Sequence, residues 1–364
     1  MKTQAAVCRA VKEPFTLETI ELPELRDDEV LVKVVSSGIC HTDVSSKNGV
    51  ISQTFPILLG HEGAGIVEKV GKKVTRLVPG DHVVMCADNC GVCPQCLSGA
   101  PTYCLDMPAL CFCTDPNGQS ATGADGKPIL LKYFGQSSFA RYALANERNS
   151  VKVRKDAPLK YLGPLGCGIN TGAGTILNGL KPKPGSSLLV IGAGTVGLSA
   201  VMAANLCGCN ILVSDLVESR LELAKSMGAT HTINGKNEPD LAKAIRAICP
   251  NGVDYVVDTA AIMPLLTAAA SAMAIRGTLA LVGAASADKS VSVNHWQTLT
   301  HGHVIQGFIE GHGVPQLFIP QLVDLYMQGR FPFDKLMTFY PLEKINDAVQ
   351  DQHDGKIIKA VLEP

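Results

Sequence analysis

The stretch SLLVIGAGTVG, Ser187 to Gly197, runs four apolar strand-forming residues (Leu188 to Ile191) into a glycine-rich turn. A helix pattern follows in TVGLSAVMAANLCG (195–208), then a second apolar run in NILVSD (210–215) and a second helix in ESRLELAKSMGA (218–229). Strand, glycine turn and helix in repetition are the pattern of βαβ units on a parallel sheet. The pattern continues through VDYVVDT (253–259), a helix expected around Leu265 to Ile275, GTLALVGA (277–284) and HVIQGFI (303–309). These supply enough strands for a doubly wound α/β sheet.

Gly192, Gly194 and Gly197 fit G-x-G-x-x-G, and Asp215 ends the next strand eighteen residues after Gly197. In that context the three glycines serve a tight turn, close backbone approach to a pyrophosphate, and close packing of helix on strand. Phosphates would sit at the helix N-terminus. Asp215 would accept hydrogen bonds from the adenosine ribose, and its charge would repel a 2'-phosphate, which favours NAD over NADP. Arg220 lies near enough to help accept such a phosphate.

The same region holds thirty-one uncharged residues, Pro184 through Ser214. That exceeds the roughly 20 that a membrane-spanning helix needs. Four glycines between Gly185 and Gly197, with Asn205 and Asn210, argue against a span, because a turn in hydrocarbon strands backbone polar groups.

Outward from this core the character changes. EVLVKVVSSGI (29–39) and AGIVEKVG (64–71) read as strands of an irregular β-rich domain, with no long helix pattern before residue 160. After the sheet come a helix, VPQLFIPQLVDLYMQG (314–329), a short helix near LEKINDAVQ (342–350) and a closing strand, KIIKAVLEP (356–364). This tail has no βαβ pattern and is assigned back to the first domain. The expected boundaries are 1–168, 169–309 and 310–364. TDPNGQSATGADGKP (114–128) is turn-rich and polar and is expected to form a surface excursion.

With 364 residues, two domains are the default expectation. The 32 basic and 33 acidic residues form no long run of either sign, which argues against a nucleic-acid surface or a basic membrane anchor. The start, MKTQAAVCRAVKEPF, lacks the apolar block of a secretory signal, so a cytoplasmic location is expected. In that reducing setting an odd count of thirteen cysteines is poorly explained by disulfides.

Four of them, Cys90, Cys93, Cys96 and Cys104, fall within CGVCPQCLSGAPTYC. Thiolates at that spacing suit one tetrahedral zinc at about 2.3 Å. A redox Cys-x-x-Cys needs only two. A site closed by four protein ligands has no open position, so this zinc is structural and catalysis must lie elsewhere.

GICHTD (38–43), GHEGAGIVEKVG (60–71), GDHVV (80–84), the four-cysteine lobe, PLGCGINTGAG (164–174) and the coenzyme loop together resemble, in order, the zinc-dependent medium-chain alcohol dehydrogenases. FGQSSFA (134–140) and GRFPFDKL (329–336) are most similar to the aryl-alcohol (benzyl alcohol) and geraniol dehydrogenases of that family. The resemblance implies a Rossmann-type coenzyme domain beside a GroES-like catalytic domain. It also implies a second, catalytic zinc on Cys40, His61 and Cys167, with the fourth position open. Asp43 matches the carboxylate that holds the histidine ligand, and Glu62 the acid that approaches the metal from behind. Thr42 matches the hydroxyl that takes the alcohol proton, and Thr171 a residue packing on the nicotinamide.

Three positions depart from many family members. Ser45 stands in place of a relay histidine, and a serine hydroxyl passes a proton but does not hold one at neutral pH. His41 and Lys359 stand in place of arginines on the pyrophosphate, which weakens that grip and makes it pH-dependent through His41. Cys86 aligns where some members place a phenylalanine against the substrate, and is expected as a pocket wall with room for a ring or branched chain. His82, His231, His295, His301, His303, His312 and His353 are assigned no chemistry.

The resemblance thus implies reversible oxidation of a primary aryl or allylic alcohol (benzyl, cinnamyl or geraniol type) to the aldehyde with NAD, two zinc per chain, and a homodimer or homotetramer. A glutathione-linked formaldehyde dehydrogenase or polyol dehydrogenase of the same fold is the alternative enzyme. A zinc-containing scaffold without activity is the alternative from another class.

Overall fold

The computed structural model describes residues 1–115, 117–286 and 288–364. They divide into two compact units. One comprises Met1–Gly168, Gly313–Gly329 and Phe333–Pro364, the other Ile169–His312 with Arg330–Pro332.

The second unit is built on six parallel strands in the order His231–Asn234, Asn210–Asp215, Ser187–Ile191, Val253–Asp258, Met273–Leu281 and Val304–Gly307. Leu188 to Val190 and Ile211 to Val213 are fully buried, as expected of parallel strands covered on both faces. The strand order reverses between Ser187–Ile191 and Val253–Asp258, and ligands bind doubly wound sheets at the carboxyl ends flanking such a reversal. Gly192 stands at that end.

The helix expected around Leu265 to Ile275 is Met263–Ser271. Met273 to Ile275 instead begin the strand Met273–Leu281, whose pairing starts at Val253↔Met273. The alanine-rich run has no apolar period to mark the change, so sheet pairing decides it. The uncharged stretch 184–214 becomes strand, turn and the twelve-residue helix Thr195–Leu206. At 1.5 Å per residue that helix falls well short of a bilayer. No helix among the described residues is long and apolar enough to cross a membrane.

The first unit joins a closed barrel to a seven-stranded sheet. The barrel strands are Lys2–Cys8, Thr16–Glu21, Ser120–Thr122, Pro128–Leu130 and Ile57–Leu58. The sheet runs Ser150–Val153, His82–Met85, Gly63–Val70, Glu29–Gly38, Lys359–Glu363 and Met337–Pro341, with Tyr142–Asn146 also paired to Glu29–Gly38. The closing strand pairs antiparallel with Glu29–Gly38 at Val361↔Gly38, and so brings Lys359 to the end of the chain segment that leads into Cys40. Helix Pro315–Met327 is tied to this unit by the Arg154 to Asp324 ion pair at 2.9 Å.

The stretch 114–128 is only partly the excursion expected. Ser120–Thr122 and Pro128–Leu130 form an antiparallel hairpin that completes the barrel, and its cross-strand pair Ala121 and Ile129 is apolar and buried. Pro116 lies outside the described residues.

Candidate active site and metal centres

Cys40 follows the strand Glu29–Gly38 as the N-cap of the short helix His41–Lys47. His61 and Glu62 precede the strand Gly63–Val70, and Cys167 follows the turn Gly163–Gly166. The ligand atoms of Cys40, His61, Glu62 and Cys167 lie within 4.8 Å of one another. Three residues far apart in sequence meet here because two strand ends and a turn converge.

Close approach needs glycine at two neighbouring positions. A Cβ on Gly38 would stand 2.0 Å from Glu62 Oε2, and one on Gly166 2.1 Å from the Met85 carbonyl.

His61 Nδ1 bonds Asp43 Oδ1 at 2.9 Å, and Asp43 also accepts the N–H groups of Cys40 at 2.9 Å and Gly60 at 3.1 Å. Among the described residues the opposite nitrogen, Nε2, is buried with no hydrogen bond of ordinary geometry, and it stands beside the Cys40 thiol. A buried polar atom left so is costly unless something else engages it. One imidazole nitrogen and two thiols within reach are the donor set that a divalent zinc takes, so the residues fit that ion. Cys40 is held well below the ordinary thiol range by its hydrogen bond with Cys167 and by His61 and Lys359, against the upward push of burial.

Glu62 is pushed up to about 7 by burial, against the pull of Lys359. The Lys359 ammonium pairs with Glu62 Oε2 at 2.6 Å and donates to the Ile39 carbonyl at 3.0 Å. This corrects the expectation for Lys359. A pyrophosphate contact requires an accessible cation, whereas this side chain is 3 % exposed and committed to Glu62.

On the helix His41–Lys47, His41 is exposed, and Thr42 and Ser45 are half-buried. Thr42 Oγ1 lies 3.6 Å from Cys40 Sγ, so the structure brings the expected proton acceptor to the cluster. Cys86 is a second correction. It is 1 % exposed, and its thiol donates to the Asn149 carbonyl at 3.5 Å. The pairing of His82–Met85 with Ser150–Val153 draws residue 86 against Asn149, leaving almost no surface for a ligand.

The four-cysteine lobe is gathered as its spacing requires, with the sulfurs of Cys90, Cys93, Cys96 and Cys104 within 4.8 Å of one another. The four-residue helix Pro94–Leu97 places Cys93 and Cys96 at 3.5 Å, sulfur to sulfur. Backbone N–H groups point at these sulfurs, Cys93 N to Cys90 Sγ at 3.3 Å and Cys90 N to Cys104 Sγ at 3.2 Å. Such bonds favour thiolates, the form that binds metal. Backbone donors from Leu105 and Cys96 hold the Cys93 thiol down at about 6. The residues fit one structural zinc.

In the second unit Gly192 has φ +94°, and a Cβ on Gly197 would meet the Gly192 carbonyl at 1.8 Å. A Cβ on Gly194 would meet nothing within 4 Å. One glycine thus turns the chain, one lets the helix close on the loop, and one leaves space above the start of Thr195–Leu206 that a dinucleotide phosphate fits. Asp215 accepts Ala193 N at 2.8 Å on one oxygen and Val217 N at 2.9 Å on the other, which fixes its carboxylate beside the loop. Arg220, on helix Glu218–Ser226, has a buried Nε without a partner among the described residues.

Thr171 is 9 % exposed, and its carbonyl accepts the Thr175 hydroxyl at 2.8 Å. A Cβ on its neighbour Gly172 would stand 2.0 Å from the Val196 carbonyl, so Thr171 is carried against the first turn after the glycine loop.

Sequence reading left three residues without a role. The Phe134 ring stacks on His61 at 4.5 Å, and Tyr133 meets it edge-on at 5.7 Å. Gln136 accepts Gly63 N at 3.0 Å and donates to the His61 carbonyl at 2.9 Å, bracketing the ligand from both sides. All three lie in or beside FGQSSFA, which marked a subgroup and nothing mechanistic. A buried-sized aromatic pair next to a glycine and a glutamine was the available signal.

Residues 26–155 match the alcohol dehydrogenase GroES-like domain, and residues 195–327 the zinc-binding dehydrogenase family. Geraniol dehydrogenase of Castellaniella defragrans is 40 % identical over 366 residues, spanning 100 % of this chain and 98 % of that protein. Among solved structures, an alcohol dehydrogenase zinc-binding domain protein from Burkholderia ambifaria is 46 % identical with a TM-score of 0.97, over 100 % of this chain and 99 % of that one. Benzyl alcohol dehydrogenase from Acinetobacter calcoaceticus is 42 % identical with a TM-score of 0.94, over the same shares. The chain belongs to the zinc-binding medium-chain alcohol dehydrogenase family. It is an oxidoreductase of two domains, one GroES-like and one with a Rossmann-type parallel sheet.

Proposed function

We propose that this enzyme reversibly oxidises primary aryl or allylic alcohols, of benzyl, cinnamyl or geraniol type, to their aldehydes with NAD. The observation that carries the reading is His61, fixed through Nδ1 by Asp43, with its buried Nε2 gathered beside two thiols. Cys40, His61 and Cys167 would hold a catalytic zinc, and Cys90, Cys93, Cys96 and Cys104 a structural one. Bound at the first site, zinc supplies Lewis acidity that lowers the pKa of an alcohol. Bound NAD supplies the hydride acceptor.

The chain's own part is to orient and to move a proton. Thr42 Oγ1 accepts the proton that the alcohol gives up, and solvent carries it on past Ser45. Asp43 keeps the imidazole in one tautomer, and Glu62, balanced by Lys359, sets the charge behind the cluster. Gly192, Gly194 and Gly197 would cradle the pyrophosphate. Asp215 would receive the ribose hydroxyls and disfavour a 2'-phosphate, and Arg220, five residues on in sequence, would be the residue to help accept one. The substrate class rests on the names of the two relatives above.

We place the enzyme in the cytoplasm, which suits thirteen cysteines outside any disulfide, six of them as proposed zinc ligands. We also propose a homo-oligomer, dimer or tetramer, associating through the sheet edge. Val304 to Gly307 are all exposed on the last strand, and Trp296 and Leu299 on the preceding helix His295–His301 are exposed as well. A lower mass by light scattering for Ile305→Lys is the expected outcome.

The deciding experiment measures NAD reduction with benzyl, cinnamyl, geranyl and short aliphatic alcohols, with and without a zinc chelator. Turnover of the first three that chelation abolishes is expected. A preference for short aliphatic alcohols would refute the substrate class, and chelator-resistant turnover the metal assignment.

A further inference from the structure

The segment KYFGQS, Lys132 to Ser137, has left-handed backbone at four of its positions: Lys132 (φ 72°), Phe134 (φ 51°), Gly135 (φ 74°) and Ser137 (φ 55°). Side-chain-bearing residues hold that conformation only where their surroundings over-determine it, and such strain gathers at working sites. Here the surroundings are specific. Ser137 Oγ accepts Tyr133 N at 3.0 Å and donates to the Leu58 carbonyl at 2.6 Å, and Ser138 N donates to the Gly60 carbonyl at 2.9 Å. Gln136 is fastened to Gly63 and His61. The bent segment is thus pinned on both sides of the sequence that carries His61.

What the bend delivers is the Tyr133 side chain, fully buried, with its hydroxyl on the helix His41–Lys47. Tyr133 Oη lies 2.8 Å from Ser46 Oγ and donates to the Thr42 carbonyl at 3.3 Å. Thr42 and Ser46 are four residues apart and so share one helix face. A phenol has one proton to give. With that proton on Thr42, Tyr133 accepts from Ser46, whose oxygen accepts from Gln53 Nε2 at 3.4 Å. The bonds run in one sense from Gln53 to Thr42, the arrangement in which each strengthens the next.

We propose that Tyr133 is a positioning residue for Thr42, its hydroxyl fixing the first turn of the helix so that Thr42 Oγ1 stays beside Cys40 Sγ. The proposal rests on the proton-accepting role given to Thr42 above. Tyr133 bonds the carbonyl of Thr42 and not its hydroxyl, so it carries no reaction proton. A misplacement of about 1 Å at a reacting group can cost on the order of a hundredfold in rate. A slackened turn should cost less.

The test uses full-length zinc-loaded wild type, Tyr133→Phe, and Tyr133→Phe with Ser46→Ala, assayed with NAD and the best of the alcohols above. For Tyr133→Phe, kcat is expected to fall about tenfold with KM and zinc content unchanged, and log kcat against pH to drop in parallel at every pH. Amide exchange at residues 42–46 is expected to quicken. Adding Ser46→Ala removes the hydroxyl whose proton has lost its acceptor, and half-buried Gln53 can turn to water, so the thermal midpoint recovers while kcat stays low. Wild-type kcat in Tyr133→Phe overturns the proposal. So does recovery of kcat together with the midpoint in the double variant, which marks a merely structural bond. A changed pH profile would make Tyr133 a proton carrier and also overturn it. Absence of alcohol turnover in wild type refutes the functional reading instead, and the exchange rates at 42–46 then decide alone, unchanged rates counting against the tie.

Discussion

Asp43 and His61, each 1 % exposed, share a hydrogen bond of 2.9 Å that leaves Nε2 of the imidazole facing Cys40 and Cys167. The same carboxylate takes the N–H groups that flank the cluster, at Cys40 and Gly60. One buried acid thereby sets the tautomer of a ligand and the backbone of its neighbours.

Asp43→Asn should therefore weaken zinc at the catalytic position by about 10- to 100-fold, the usual range for losing a partner of a histidine ligand. Competition with a chromogenic chelator reads this directly. Unchanged affinity would show that burial alone orients His61.

Cys104→Ser should remove one of two zinc equivalents and leave the other in place. Val92, Leu97 and Leu105 are all more than 60 % exposed, so the lobe has little apolar packing there and its shape should depend on the proposed metal. The stability lost should be several kcal/mol, a part of the ~10–16 kcal/mol that zinc contributes in zinc-finger peptides. Metal analysis with thermal unfolding checks it, and two equivalents retained would contradict the assignment.

The glycine loop separates folding from binding. Gly194 has φ −85° and open space around a Cβ, so Gly194→Ala should change stability by less than about 1 kcal/mol. The added methyl occupies the phosphate space, and the NAD dissociation constant should rise at least tenfold. Gly197→Ala forces a contact at 1.8 Å and should damage both. NADH fluorescence titration beside thermal melts tells the two apart, and tight binding by Gly194→Ala would move the phosphate elsewhere.

Asp81 gives the chain a dependence on pH. Burial pushes its carboxyl up, but the Lys152 ammonium at 2.8 Å and the Val78 N–H at 3.0 Å outweigh that and leave it below the ordinary range. A depressed folded-state pKa means the stabilisation is present above the unfolded value of 3.8 and is lost as pH falls through the folded value. Lys152 is half exposed, so Asp81→Asn should cost only about 1 kcal/mol at pH 7. That difference should shrink below about pH 4. Urea titrations at pH 7 and pH 3.5 measure it, and an equal difference at both would remove the ion pair as its cause.

The parallel sheet was legible because its strands are continuous apolar runs between glycine turns, a local property. The boundary at residue 272 was not, since Ala268 to Ile275 suit helix and strand alike and pairing with Val253 made the choice. The hairpin at 120–130 hid among turn residues for the same reason: its two short strands gain their meaning only from the barrel they close.

Among the site residues, the gathering of the four lobe cysteines was legible in the sequence, because fifteen residues at that spacing suffice to bring four sulfurs together. The glycines and Asp215 are nearly so, because a single βαβ unit holds them. Cys40, His61 and Cys167 could be named only by resemblance, and their convergence belongs to strand ends that long-range pairing brings together. The side chains behind them were decided by tertiary structure alone. Burial turned Lys359 from a phosphate cation into the partner of Glu62, withdrew Cys86 from any pocket, and set Tyr133 under Thr42. Spacing along a chain encodes what neighbours can do within a turn or a unit, whereas solvent exclusion and partner choice exist only once distant segments have packed.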